Sequence, residues 1–326
     1  MEPIVTNFLF QLEFGELQTF NNMAVMPLFT SVNDSPKYLT LKEALERGLL
    51  VITEISKTGS VPELRVVNKA EIPALLLDGE ELAGAKQNRV LNTTILLKEE
   101  SETIVPVSCT EQGRWSYASA EFFESGNIMN RNLRSRKASS VNRSLEVSRS
   151  YRGDQGAVWE GIASCAMVAN VRTVTGAMSD IYESKERDLK GYLDIFKYVP
   201  HQKGIFVMVN GRVAGLDVLS LESAYEAIHP KLVKSYAMDA LIARSGRDSE
   251  PSVGKARSFV EEVAQCEEKK FKSVGHGWDF RFEGRGIVGS SLVHQEKVIH
   301  LAFFKADQEE RIGGISSSSA RRRFRL

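Results

Sequence analysis

Between Asp78 and Asn92 the chain reads DGEELAGAKQNRVLN, and eight of these fifteen residues are Asp, Glu, Lys, Gln, Asn or Arg. One apolar run, PALLL, enters the segment and another, TTILL, leaves it. Hydrogen-bonding groups at this density between strands that read as buried have two physical uses. They can line a polar pocket, or they can pair with one another and pin a turn. As a pocket, Arg89 offers a rigid fork for phosphate or carboxylate oxygens and Lys86 a point charge. Gln87, Asn88 and Asn92 supply donors and acceptors for sugar hydroxyls, Glu80 is a further polar contact, and Glu81 is a candidate general acid or base. Side chains alternate along an extended chain, so Gln87 and Arg89 share one face while Lys86, Asn88 and Asn92 share the other. One ligand can meet only part of the set.

A second cluster, VPVSCTEQGRWSY, runs from Val105 to Tyr117. Glu111 is its candidate acid or base, and Arg114 is a second fork for oxyanions. Trp115 either stacks on a base or sugar or covers a sheet edge. Cys109 ends an apolar strand with no histidine nearby in sequence, which favours a small buried hydrophobe over a nucleophile. Asp154 stands where a helix N-cap is expected. Asp217 lies inside the apolar run VAGLDVL and needs a role as general base or a partner such as Lys231. His276, His294 and His300 have no HxH or HExxH spacing, so they read as surface histidines, with no metal expected. No Walker, GxGxxG or GxSxG pattern is present, and nothing names a cofactor.

Strand signals dominate up to residue 125, where LLVITEI, ELRVVN, PALLL, VLNTTILL and TIVPVSC predict an antiparallel sheet or sandwich. TLKEALERGLL is the helical exception, and Asp78-Gly79 reads as a two-residue hairpin. Residues 126–153 hold a stretch with seven Arg or Lys and six Ser between Arg131 and Arg152, read as a solvated linker or a phosphate-contacting arm. From 154 to 305 helices packed on a second antiparallel sheet are expected, with a hairpin at Asn210-Gly211 and Pro230 opening a new helix. Residues 306–326, rich in Ser and Arg, read as a disordered tail. The fold class is therefore α+β.

The totals narrow the partners. In 326 residues, 42 Lys and Arg balance 42 Asp and Glu, which argues against nucleic acid as a default partner. Three dispersed cysteines, the lack of a leader pattern and the lack of an 18-residue apolar run point to a cytoplasmic protein without a membrane span. Oligomeric state leaves no mark on the sequence.

The strings LLLDGEELAGAKQNRVLNTTILL, VPVSCTEQGRW, DQGAVWEGI, GRVAGLDVLS and HPKLVKSYAMDAL resemble the domain family named for its association with ADP-ribosylglycohydrolases and rhodanese–phosphatase proteins. The resemblance implies work on, or sensing of, ADP-ribose or a related nucleotide derivative, and the expectation built on it is a protein that binds, and hydrolyses or transfers, a phosphorylated sugar-nucleotide. Motif residues carried over are Glu80, Glu81, Lys86, Gln87, Asn88, Arg89 and Asn92, then Cys109, Glu111, Gly113, Arg114 and Trp115. The alternative is a non-catalytic adaptor or regulator whose polar motif is a structural network.

Overall fold

The computed structural model describes residues 1–56, 59–243 and 249–306. Its largest unit is a nine-stranded antiparallel sheet that joins both ends of the chain. In spatial order it runs β1 (Glu13–Phe14), β3 (Met23–Phe29), β13 (Gly204–Val209), β14 (Arg212–Leu219), β18 (Lys297–Lys305), β17 (Ile287–His294), β16 (Trp278–Gly284) and β15 (Glu267–Lys272), and β2 (Gln18–Phe20) also pairs with β3. The central strands are apolar at nearly every position because both faces are covered. Phe206, Met208, Leu216 and Val218 face Val5 and Leu9 of helix α1 (Pro3–Phe10) and Phe259 and Val263 of α8 (Val253–Ala264). Their neighbours Ile205, Val207 and Leu219 face Leu232 and Tyr236 of α7 (Glu222–Ile242). Each such buried side chain contributes roughly 1.5–3 kcal/mol.

A six-stranded sheet carries the polar motifs, in the order β12 (Phe122–Ile128), β8 (Glu80–Gly84), β9 (Arg89–Leu91), β11 (Ser101–Cys109), β6 (Glu63–Asn68) and β5 (Leu50–Glu54). Beside it lie β10 (Ile95–Leu97), β7 (Ala74–Leu76) and β4 (Leu39–Thr40), the last two parallel. Both sheets share a core with α2 (Leu41–Glu46), which starts at a capping box between Thr40 and Glu43. The remaining helices are α3 (Arg131–Ser148), α4 (Gln155–Val168), α5 (Met178–Ser184) and α6 (Glu186–Ile195).

The α+β class holds, as do the helix at α2, the α4 cap by Asp154 (Ala157 N–H to Oδ1, 3.0 Å) and the Asn210-Gly211 hairpin, with φ of 53° and 74°. Four expectations are corrected. Residues 131–148 are a helix with buried Arg134, Lys137 and Asn142, not a solvated arm, because distant carboxylates neutralise its cations. Asp78-Gly79 is not a hairpin, since β7 and β8 belong to different sheets and the positive φ of Gly79 (82°) turns the chain from one to the other. Pro230 lies inside the continuous α7 rather than opening a helix. Finally, the first thirty residues are not confined to the N-terminal β unit, because β3 pairs with β13. The tail expected beyond residue 306 lies outside the described residues. Among those described, no helix is long and apolar enough to cross a membrane.

Candidate functional site

A cleft of about 800 Å³ opens between the β8–β12 edge of the motif sheet and helices α5, α6 and α7. The motif chain reaches it through a turn, not through one extended strand. Glu81 pairs with Val90 and Leu82 with Arg89, so residues 85–88 form the loop of a β8–β9 hairpin. The turn depends on Gly84 at φ 110° and strains Ala85 to φ 38°. Simple alternation therefore gives way at the loop, and Asn88 turns toward the cleft.

Asn88, Glu111 and Arg114 meet on the cleft wall. Arg114 Nε donates to Glu111 Oε1 at 2.8 Å and Nη2 to Oε2 at 2.6 Å. The same guanidinium holds the carbonyls of Ala85 (2.7 Å), Ser116 (3.0 Å) and Gly84 (3.3 Å) and Asn88 Oδ1 (3.2 Å). Its donors are committed to the turn and to Glu111, so it acts as a clamp. Glu111 also accepts from the Asn88 N–H (3.1 Å) and from Thr175 Oγ1 (2.9 Å). Thr175 can come this close because residue 113 is glycine: a Cβ there would lie 2.9 Å from the Thr175 Cα. Burial alone would raise the Glu111 pKa, but Arg114, the Asn88 amide and Thr175 outweigh it and hold the carboxyl below its ordinary range.

Glu81 is the opposite case. It is fully buried behind the wall and does not line the cleft, and Thr110 Oγ1 donates to its Oε1 at 2.9 Å. Burial pushes its pKa up to about 7, opposed by Thr110 and by Ser125 and Asn127, with the Glu111 charge adding to the rise. Ser125 and Asn127 line the cleft. The two carboxyl groups thus shift in opposite directions, Glu81 up and Glu111 down.

The other expected residues lie elsewhere. Glu80 is buried, accepting from the Leu77 N–H at 2.8 Å and bound to Lys231. Asn92 bonds Ser108 Oγ (2.7 Å) and the Tyr151 carbonyl (3.0 Å) in a closed interior. Arg89 is fully buried, with Nη1 on Gln87 Oε1 at 3.1 Å and Nη2 3.9 Å from Glu54, too far for a hydrogen bond. The same Gln87 oxygen accepts from Cys109 Sγ at 3.2 Å, and burial pushes the Cys109 thiol pKa up. The Lys86 ammonium lies 5.1 Å from the Trp115 ring centroid and 5.2 Å from that of Tyr117. Trp115 does not line the cleft. Hence Lys86, Gln87, Arg89 and Trp115 do not share the cleft wall with Asn88, Glu111 and Arg114.

Asp217 is not free to act as a base and does not meet Lys231. Arg134 grips it at 2.7 and 3.1 Å, Tyr236 donates at 2.8 Å, and the buried His300 lies 3.4 Å away. His300 is therefore no surface residue. Lys231 joins Glu80 and lies 2.8 Å from Glu124.

Several lining residues escaped the sequence reading, among them Lys42, Phe123, Ser125, Asn127, Asp180 and Lys234. ESGN at residues 124–127 was the available signal, as a polar run within a strand. Burial and the charges of Glu183 and Glu111 raise the Asp180 pKa. Among the described residues no group of three or more His, Cys, Asp or Glu is placed to hold a metal ion.

Residues 11–304 match the ARG and Rhodanese-Phosphatase-superfamily-associated Protein domain, ARPP-1. The chain belongs to this family. The ARPP-1 match spans the cleft, both carboxylates and the buried networks alike, so membership by itself does not separate ligand contacts from scaffold. No curated protein and no solved structure matches the chain.

Proposed function

We propose that the cleft binds a phosphorylated sugar-nucleotide such as an ADP-ribose derivative, and hydrolyses or transfers it at the sugar carbon. Glu81 serves as proton donor and Glu111 as the ionised carboxylate that steadies the positive charge developing on the sugar or activates the incoming hydroxyl. The observation that carries this reading is the unequal pair, with Glu111 held low on the cleft wall and Glu81, buried behind that wall, raised to about 7. The cleft volume is of the size that takes such ligands. Asn88, Ser125, Asn127 and Ser179 offer hydrogen bonds to sugar hydroxyls, and Lys42 and Lys234 bring positive charge for phosphate oxygens. The family name, with its ADP-ribosylglycohydrolase association, points to the same ligand class.

The adaptor reading draws on a different observation: Glu80, Arg89 and Asn92 are enclosed in the interior. The two readings part in a thermal-shift titration with ADP-ribose, NAD and ribose 5-phosphate, because a ligand specific for the folded state raises Tm by mass action. A rise with ADP-ribose that Glu111→Gln abolishes is the expected result. A flat response across all three in the wild-type protein sinks the ligand reading and leaves the adaptor.

A further inference from the structure

Phe123 is the one large apolar side chain on the cleft wall that is more than half exposed, at 55 %, among the described residues. Its neighbour Phe122 points into the core shared with α2, and strand alternation turns Phe123 to the other side. Phe123 joins none of the apolar cores among the described residues, so the packing of the fold does not account for it.

The ring's placement follows from the hairpin that builds the site. Gly84 has φ 110°, and a Cβ there would lie 2.4 Å from Ser119 Oγ and 3.2 Å from Phe123 Cε1. The ring edge thus rests on a backbone that only glycine can supply. The Gly84 carbonyl is held by Arg114 Nη2, whose same nitrogen holds Glu111. Gly84 and Arg114 are therefore the two residues that link Phe123 to the ionised carboxylate. Leu189 and Leu193 of α6 and Ala227 and Pro230 of α7 add aliphatic wall.

We infer that Phe123 is the stacking platform for a planar nucleobase, so that the cleft selects a nucleotide derivative over a simple sugar phosphate. This rests on the proposed ligand-binding reading and adds its specificity element. Base-on-aromatic stacking tolerates any base because each has a π face, and it places the attached sugar beside the ring, toward Glu111. A lone exposed phenylalanine is ordinary on a protein surface. Its place against Gly84, inside the cleft and outside every core, is what distinguishes this one.

Calorimetric titration of the full chain with ADP-ribose, AMP and ribose 5-phosphate tests the inference. Phe123→Ala is expected to weaken ADP-ribose and AMP about tenfold or more, to leave ribose 5-phosphate unchanged, and to keep the wild-type Tm. Phe123→Trp restores binding. If Phe123→Ala binds all three like wild type while Glu111→Gln weakens ADP-ribose, the stacking role is wrong and the ligand reading stands. Equal weakening of all three also overturns base selection. If the wild-type chain binds none of them, both fall together.

Discussion

The Arg134–Asp217 network and the Glu81–Glu111 cleft are equally rich in charge and could scarcely differ more in what that charge does. Around Arg134 opposite charges meet: Asp217 takes two guanidinium bonds and a tyrosine hydroxyl, and Asp78 pairs with Lys137. Burial would raise the Asp217 pKa, yet Arg134 and His300 lower it to about 2. Behind the cleft wall burial dominates at Glu81 instead, and its pKa rises to about 7. Charge density does not mark a site. The difference lies in whether an opposite charge outweighs burial, as Arg134 does for Asp217, or burial prevails, as at Glu81.

The largest test breaks the closed region. Arg134→Met strands Asp217 in the interior and should cost about 3–5 kcal/mol in urea unfolding, whereas Glu111→Gln at the cleft should cost far less. A mild Arg134→Met would erase the contrast. The depressed Asp217 pKa adds a sign: its stabilisation is present above an ordinary carboxyl pKa of 3.8 and is lost as pH falls toward 2.

Glu81 has the opposite sign. A carboxyl raised from 4.5 to about 7 on folding binds more protons in the native state, so its stability is full below 4.5 and fades as pH rises through 7. The span is roughly 3 kcal/mol as an upper figure. Glu81→Gln should flatten this part of the stability profile between pH 5 and 8, measured by unfolding at each pH. An unchanged slope would remove Glu81 as the proton donor.

Arg114→Lys should cost about 1–2 kcal/mol, because an ammonium cannot reproduce the fork that holds Glu111 and three carbonyls. The Glu111 pKa should then rise, readable by carboxyl NMR titration. Smallest is Trp115→Ala: the ring is 49 % exposed and its contact with Lys86 is worth about 0.5–1 kcal/mol. Cleft binding of ADP-ribose should be unaffected. A loss there would join the Trp115 face to the site and blur the comparison.

Local rules made much of this molecule legible before any coordinates. The helix in TLKEALERGLL, the turn at Asn210-Gly211 and the Asp154 cap are decided within a few residues, so the sequence reads them directly. The helical spacing over residues 178–195 likewise buries Met178, Ile181, Leu189 and Tyr192. Local pattern failed at α3, where Arg134 and Lys137 look solvated until Asp217 and Asp78 arrive from 83 and 59 residues away. At Pro230 the local breaker rule lost to a helix packed along much of its length, with thirteen buried residues in α7.

By itself the sequence determined the α+β class, the family and the two motifs in which Glu81, Asn88, Glu111 and Arg114 stand, because chain composition and short-range pattern suffice for these. Only the tertiary structure decided which motif residues face open space. That choice depends on a positive-φ turn at Gly84 and on three helices, α5 to α7, that close the opposite wall from later in the chain. Burial sets proton affinity, and burial is a property of the whole fold rather than of any segment.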